Sequence, residues 1–353
     1  MNAAAAPAGP IPLPRAGGAP PLRGSLRACP EDFAVEEVLG YGADGAGEHV
    51  LLSVQKRDAN TAWVAQQLAR FAGVDARAVG WAGRKDRHAL TAQSFSVHLP
   101  GRADPDWSKL DVPGVRVLAA QRHGRKLKRG ALAGNRFVLR IRAVQGDATA
   151  AEERLRRMQA QGVPNYFGVQ RFGHGGDNLE AARRLFAGAR VPRARRELLL
   201  SAARAHLFNA VLAARVRDGS WQRGLPGELW ALAGSRAWFG PQAPDDTLAR
   251  RLAAFDIAPS GPLWGAGSSP AGADCARLED ALAATHADLA AGLAGAGLEH
   301  ARRALRLDLR GLAWRWIDAN LELRFALPPG AYATAVAREL LEDAEADAAD
   351  DDG

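Results

Sequence analysis

VGWAGRKDRHALTAQSFSV, residues 79–97, holds a strand, a charged tip and a second strand in nineteen residues. A short apolar run ends in glycines, the tip offers Arg84, Lys85, Asp86, Arg87 and His88, and then Phe95 and Val97 alternate with Ser94 and Ser96. Alternation with period two is the mark of a half-buried strand. The tip sets one carboxylate among four side chains that can carry positive charge, which holds its pKa down and keeps it ionised. An ionised carboxylate on a sheet-anchored loop can serve as nucleophile or general base; it can equally do no more than cap its own turn.

The same alternation extends outward. Residues 33–38 and 49–55 read as strands, Phe137, Leu139 and Ile141 alternate with Arg136, Arg140 and Arg142, and Leu321, Leu323, Phe325 and Leu327 alternate with Glu322, Arg324 and Ala326. A helix is predicted from an Asn60 cap, with Val64, Leu68 and Phe71 on one face. From about 147 the pattern turns helical, with helices expected at 147–161, 178–187, 193–218 (closed by Gly219) and 275–293. Strands return at 303–309 and 321–327, and a last helix follows Pro328-Pro329-Gly330 to about 341. A sheet-rich half, a helical middle and a sheet-rich return imply an α/β (α+β) protein in which one domain is interrupted by an inserted one.

The 353 residues carry 46 basic and 39 acidic side chains. Seven of the acids lie in 342–353, and without that stretch 46 bases face 32 acids, a balance of +14. A body this basic fits a polyanionic partner, nucleic acid first and an acidic membrane surface second. Cys29 and Cys275 are too far apart for a disulfide framework or a metal clip, and the eight histidines show no HxxxH or HExxH spacing, so no metal is expected. No apolar run approaches the length of a membrane span and no secretory leader is evident, which leads us to expect a cytoplasmic protein. Residues 1–21, rich in Ala, Pro and Gly, are expected to form a disordered arm, and the acidic tail 343–353 a solvated end.

Four further motifs bear on function. GYGADG (40–45) spells a dinucleotide loop, but it precedes the strand HVLLSV instead of opening a helix, and a hairpin turn is the better reading. GRKLKRG (124–130), preceded by Arg122, packs five bases into eight residues, a loop that can meet phosphates or simply be solvated. Arg190, Arg193, Arg195 and Arg196 open a helix where cations oppose the dipole. In NYFGVQRFGHGGDN (165–178), Tyr166, Phe167, Phe172 and Arg171 can stack on unpaired bases, or the aromatics can anchor a core.

Taken together the segments resemble the pseudouridine synthase D family, named for isomerising uridine 13 of transfer RNA. PEDFAVEE (30–37), GWAGRKDRHALTAQ (80–93), KLKRGALAGNRFVLR (126–140), NYFGVQRFG (165–173), LLLSAARAHLFN (198–209), GPLWG (261–265), HARRALRL (300–307) and LPPGAYATAVAREL (327–340) occur in family order. The resemblance spans about 22–342. It implies a pseudouridine synthase catalytic domain of mixed and antiparallel sheets with helices at 22–160 and 309–342, and an inserted domain at 161–308. It implies that Asp86 is the catalytic aspartate, and that Arg27 stands where the family carries a lysine paired with it. Phe33, Asn135, Phe137 and Tyr332 fall on positions that hold or wall the target uracil; at 332 the family usually carries phenylalanine, so the tyrosine hydroxyl needs a partner. Arg125, Lys126, Lys128 and Arg129 are expected to meet the RNA backbone.

The implied reaction breaks the N1–C1′ bond, turns the uracil and joins C5 to C1′, with no net redox change, so no cofactor is expected. tRNA is the expected partner, with no membrane and no protein partner, and a monomer is expected. Two other classes compete: a non-catalytic RNA-binding or chaperone protein in which Asp86 only caps a turn, and a nucleoside or glycoside hydrolase, which would need a second carboxylate and would release uracil.

Overall fold

The computed structural model describes residues 11–342 and Ala344. The first ten residues of the expected arm, and the acidic tail apart from Ala344, lie outside the described residues. The chain forms two compact units: a sheet unit, Arg23–Gly146 with Gly311–Gly330, and a helical unit, Asp147–Arg310 with the described residues up to Leu22 and from Ala331 on.

The sheet unit begins with strands β1 (Leu22–Ser25), β2 (Phe33–Val38) and β3 (His49–Arg57), helix α1 (Thr61–Ala72), and strands β4 (Val79–Trp81), β5 (Leu90–His98), β6 (Val115–His123) and β7 (Gly134–Gly146). The helical unit carries α2 (Ala148–Gln161), β8 (Val163–Pro164), α3 (Asp177–Phe186), α4 (Arg193–Arg217), β9 (Glu228–Leu232), β10 (Trp238–Gln242), α5 (Asp246–Ala253), β11 (Ile257–Leu263), α6 (Ala273–Thr285), α7 (Ala287–Gly295), β12 (Ala301–Ala304) and β13 (Arg306–Leu307). Strands β14 (Ala313–Ile317) and β15 (Asn320–Leu327) return to the sheet unit, and α8 (Ala333–Ala337) to the helical one.

The large sheet runs β14-β15-β7-β2-β5-β3-β6, with β1 beside β7 and β4 beside β5. Alternation decides which face of each strand is buried. Val50, Leu52 and Val54 of β3 stand opposite Val97, Phe95 and Gln93 of β5, and the apolar members of this face pack with Val64 and Leu68 of α1. Each large apolar side chain fully buried here contributes roughly 1.5–3 kcal/mol. On the same sheet, Val35 of β2 pairs with Phe137 of β7, which pairs with Phe325 of β15. The reverse face of β7 and β15 is charged: buried Glu322 accepts from Arg140, Arg315 and Arg324. Burial works against its ionisation, but these three arginines outweigh that and hold the carboxyl at about 2.

Several expectations change. Residues 40–45 are not a hairpin turn, because β2 and β3 do not pair: β5 lies between them, parallel to β2 and antiparallel to β3, so the glycine-rich stretch is a crossover. The helix expected at 275–293 is two, α6 and α7, parted at His286, and the strand at 303–309 is two short ones with different partners, β12 on β11 and β13 on β8. The middle of the chain also contains a four-stranded sheet, β10-β9-β11-β12, alongside its helices. The last helix is short, and it groups with the helical unit, as does α2.

Residues 11–21, read from composition as part of the arm, are held in place. Ile11 and Leu13 pack on the core of the helical unit, Arg15 Nε donates to the Arg338 carbonyl at 2.6 Å, and Arg338 Nη2 donates to the Leu13 carbonyl at 2.6 Å. Both of these bonds end on main-chain carbonyls, which side-chain composition does not reveal.

Candidate active site

The tip between β4 and β5 is irregular and is braced residue by residue. The Thr61 hydroxyl at the start of α1 accepts from the Lys85 amide at 3.1 Å and donates to Gln93 Oε1 at 3.0 Å, while Gln93 Nε2 donates to the Gly83 carbonyl at 2.7 Å. Fully buried Lys56 on β3 donates from Nζ to the carbonyls of Ala59 at 2.8 Å and Asp86 at 2.7 Å. The Lys85 side chain runs back to Glu37 of β2, Nζ to Oε1 2.8 Å, and Glu37 Oε2 accepts from the Ser94 amide at 2.9 Å. His88 Nδ1 lies 2.8 Å from Asp58 Oδ1.

Of the four cations expected around Asp86, Lys85 is engaged with Glu37 and His88 with Asp58, and Arg87 Nε also lies 4.0 Å from Asp58 Oδ1. A partner for the carboxylate comes from outside the tip: Arg27 Nη2 is 3.2 Å from Asp86 Oδ2, with the arginine side chain 7% and the aspartate 38% exposed. The Arg27 guanidinium also lies 4.2 Å over the Phe33 ring, whose edge meets Phe137 at 6.2 Å, and Phe137 stacks on Phe325 at 5.4 Å. Asp86, Arg27, Phe33 and Phe137 thus form one continuous chain of contacts. Asn135 stands two residues before Phe137 on the same face of β7, opposite Glu37. Its Oδ1 is buried with no hydrogen-bond partner among the described residues. A buried acceptor left open costs free energy, and such atoms are scarce in folded proteins.

Tyr332 belongs to the helical unit, where Arg171 Nη2 donates to its hydroxyl at 2.5 Å and Phe167 meets its ring at 6.1 Å. The hydroxyl that sets it apart from phenylalanine has its partner in Arg171, which also donates to Ser201 Oγ at 3.1 Å. Tyr166, Phe167 and Phe172 are buried in the core of this unit, so the core reading of that motif holds. Arg193, Arg195 and Arg196 are exposed at the start of α4.

Arg125, Lys126, Lys128 and Arg129 are all exposed on the loop from β6 to β7. Between them Leu127 is buried, and its amide donates to Ser96 Oγ at 2.8 Å. A Cβ on Gly80 would collide with the Leu127 carbonyl, so glycine at 80 lets the loop lie against the sheet. Sequence reasoning missed Lys56, Thr61, Gln93 and Glu37. Glu37, Lys56 and Gln93 carried a signal, a polar side chain at a core-facing position of an apolar alternation; Thr61 carried none. Among the described residues no group of three or more His, Cys, Asp or Glu side chains is placed to hold a metal ion, and no helix is long and apolar enough to cross a membrane.

A carboxylate and guanidinium beside a bank of phenylalanines, with an open amide acceptor on the same sheet, suit an enzyme that works on a flat polar ring such as a nucleobase. The sequence matches the family tRNA pseudouridine synthase D (TruD) over residues 16–181 and 176–340. A tRNA pseudouridine synthase D of Xanthomonas campestris pv. campestris is 52% identical over 344 residues, covering 93% of this chain and 94% of that protein. One of Methylococcus capsulatus is 50% identical over 333 residues, covering 94% of each. A crystal structure from Methanosarcina mazei, provisionally assigned to the same family, shares the fold with a TM-score of 0.71 at 20% identity, covering 95% of this chain and 96% of that one. The chain belongs to the tRNA pseudouridine synthase D family.

Proposed function

We propose that Asp86 is the catalytic carboxylate for converting uridine to pseudouridine in tRNA, at uridine 13 in the D-arm region, without a cofactor. By its family the chain is a tRNA pseudouridine synthase, an isomerase. The observation that carries the assignment of Asp86 is its pairing with a nearly buried arginine that also lies on Phe33.

The chemistry asks for one ionised carboxylate and a pocket that keeps the freed base. Arg27 favours the ionised form of Asp86 and fixes its direction, whether it attacks C1′ or takes the 2′ proton. When C5 joins C1′, the C5 hydrogen leaves to solvent and N1 takes up a proton, so atoms and electrons balance. Phe33 and Phe137, buried beneath Arg27 and against Phe325, form an apolar floor for the pocket and exclude water that would hydrolyse the sugar centre. Uracil carries an imide N–H, and Asn135 Oδ1 is an open acceptor of matching polarity. Tyr332 is included as a uracil wall on the resemblance alone. Lifting the uridine from its stack costs a few kcal/mol, which phosphate contacts by Arg125, Lys126, Lys128 and Arg129 offset.

This reading implies a catalytic domain of 22–160 with 309–342, interrupted by an inserted domain at 161–308. It also implies a monomer at work in the cytoplasm. The test is nucleotide mapping of a tRNA transcript after incubation with the purified protein. Pseudouridine at position 13 with no free uracil is expected; release of uracil would make the protein a hydrolase.

A further inference from the structure

The glycine-rich stretch after β2 and the basic loop after β6 are fastened to each other along their length. Ala133 N donates to the Val38 carbonyl at 2.8 Å, Gly45 N to the Arg122 carbonyl at 2.9 Å, and Arg122 Nη1 to the Gly47 carbonyl at 3.3 Å. Asp44 Oδ2 accepts from the Gly124 amide at 2.7 Å and lies 2.8 Å from His123 Nδ1. A Cβ on Gly47 would collide with Gly124 and the His123 carbonyl, so the two backbones touch directly. This gives Gly47 a purpose that neither a dinucleotide loop nor a hairpin supplies.

Aromatic and cationic groups gather where the loops join. The Tyr41 ring stacks on buried His123, centroids 5.8 Å apart and planes 14° from parallel, and the Arg125 guanidinium lies 5.3 Å from the Tyr41 centroid over its face. Tyr41 is half-buried and Arg125 exposed. Lys126, Lys128 and Arg129 follow at once, all exposed, while buried Leu127 keeps the loop on the sheet. Planar stacking groups beside a run of cations are the two ingredients of single-strand RNA binding: bases stack on aromatic and guanidinium planes, and cations track the phosphates.

We propose that Tyr41 and Arg125 form a stacking platform for an unpaired base of the RNA, with Lys126, Lys128 and Arg129 taking the adjoining phosphates. The proposal rests on the reading of the chain as an enzyme acting on tRNA, and it separates Arg125 from the other three bases of the loop. Asp44 is the brace: it occupies His123 and the Gly124 amide, so Tyr41 has a fixed ring to lie on.

Stacking and phosphate contacts differ in their response to salt, because only the second releases counterions. Binding of an unmodified tRNA transcript, and of a blunt RNA duplex without unpaired bases, is measured from about 50 to 200 mM salt for the wild type, Tyr41→Phe, Tyr41→Leu and the double variant Lys128→Ala/Arg129→Ala. Tyr41→Leu, which keeps an apolar side chain but loses the π face, is expected to bind tRNA about tenfold more weakly with an unchanged salt slope and unchanged duplex binding. Tyr41→Phe stays within about twofold of wild type. The double variant lowers the salt slope by roughly 0.7–0.9 per charge on both RNAs. Wild-type affinity in Tyr41→Leu, or equal losses on tRNA and duplex, overturns the platform while leaving the enzyme reading intact. A wild-type protein that binds no tRNA and makes no pseudouridine overturns the enzyme reading, and the platform with it.

Discussion

Arg27 reaches Asp86 across 59 positions of sequence, Nη2 to Oδ2 at 3.2 Å, and with the same guanidinium covers the Phe33 ring at 4.2 Å. One side chain thereby sets both the direction of the carboxylate and the wall beside it. Arg27→Ala is expected to lower kcat by about ten- to a hundredfold, since a small misplacement of a reacting group is costly, while leaving the Kd for tRNA within about twofold. Arg27→Lys keeps a cation in reach and is expected to recover most of the loss. Single-turnover kinetics with a tRNA transcript checks both; an unchanged rate constant in Arg27→Ala would remove the role.

The pair behind the tip is a stability element. Glu37 and Lys85 are buried together at 2.8 Å, and removing one partner leaves an uncompensated charge in the sheet. Glu37→Ala should cost about 3–5 kcal/mol in urea unfolding, whereas replacing both residues by apolar side chains of similar volume should cost far less. Equal costs for the single and double replacement would show that the pairing is not what matters.

Asn135 should behave in the opposite way. Its buried Oδ1 has no partner among the described residues, so Asn135→Ala forfeits no hydrogen bond at that atom on folding. The expected result is a stability change under about 1 kcal/mol together with a fall in kcat/KM of about tenfold or more. A large loss of stability with normal turnover would assign Asn135 to the scaffold.

Acid should weaken the two units over different ranges. Burial, followed by the neighbouring His286, lowers the His206 pKa from its ordinary 6.5 to about 4. The unfolded chain therefore takes up this proton first, and stability contributed by the neutral imidazole is lost as pH falls from 6.5 toward 4. Glu322 is held at about 2 against its ordinary 4.5, so its contribution is intact above 4.5 and is lost as pH falls toward 2. Each is of order 2–3 kcal/mol, the Glu322 contribution after allowance for solvent screening of its half-exposed arginine partners. Urea unfolding between pH 7 and 3, followed in the wild type, His206→Gln and Glu322→Gln, should show the upper range flattened by the first change and the lower by the second.

What could be read in advance followed the period of the side chains. Phe33 and Val35, Phe137 and Leu139, and Phe325 and Leu327 alternate with polar neighbours because one sheet face is buried, and α1 shows its face at Val64 and Leu68. Where both faces are covered, or where Gly and Pro interrupt, the period vanishes. β11 reads IAPSGPL and β9 ELWAL, and neither announces a strand. Pairing order is also invisible locally: nothing in 40–47 says that β5 enters between β2 and β3.

At the site, Asp86 stood out by its position in a charged tip, and Arg27 only through the resemblance. Lys56, Thr61 and Gln93 support the tip through main-chain carbonyls and amides, and those bonds depend on where the backbone passes, not on the pattern of residue types. The position of Tyr332 was legible from the resemblance, but its hydroxyl partner Arg171 lies 161 positions away and only folding brings them together.

The most direct test of the central claim uses tRNA labelled with tritium at uridine C5, incubated with wild-type protein and with Asp86→Asn. The wild type should release tritium without free uracil, and Asp86→Asn should bind the tRNA with nearly unchanged affinity yet release none. Tritium release by Asp86→Asn at the wild-type rate would contradict the assignment of Asp86 as the carboxylate that carries the reaction.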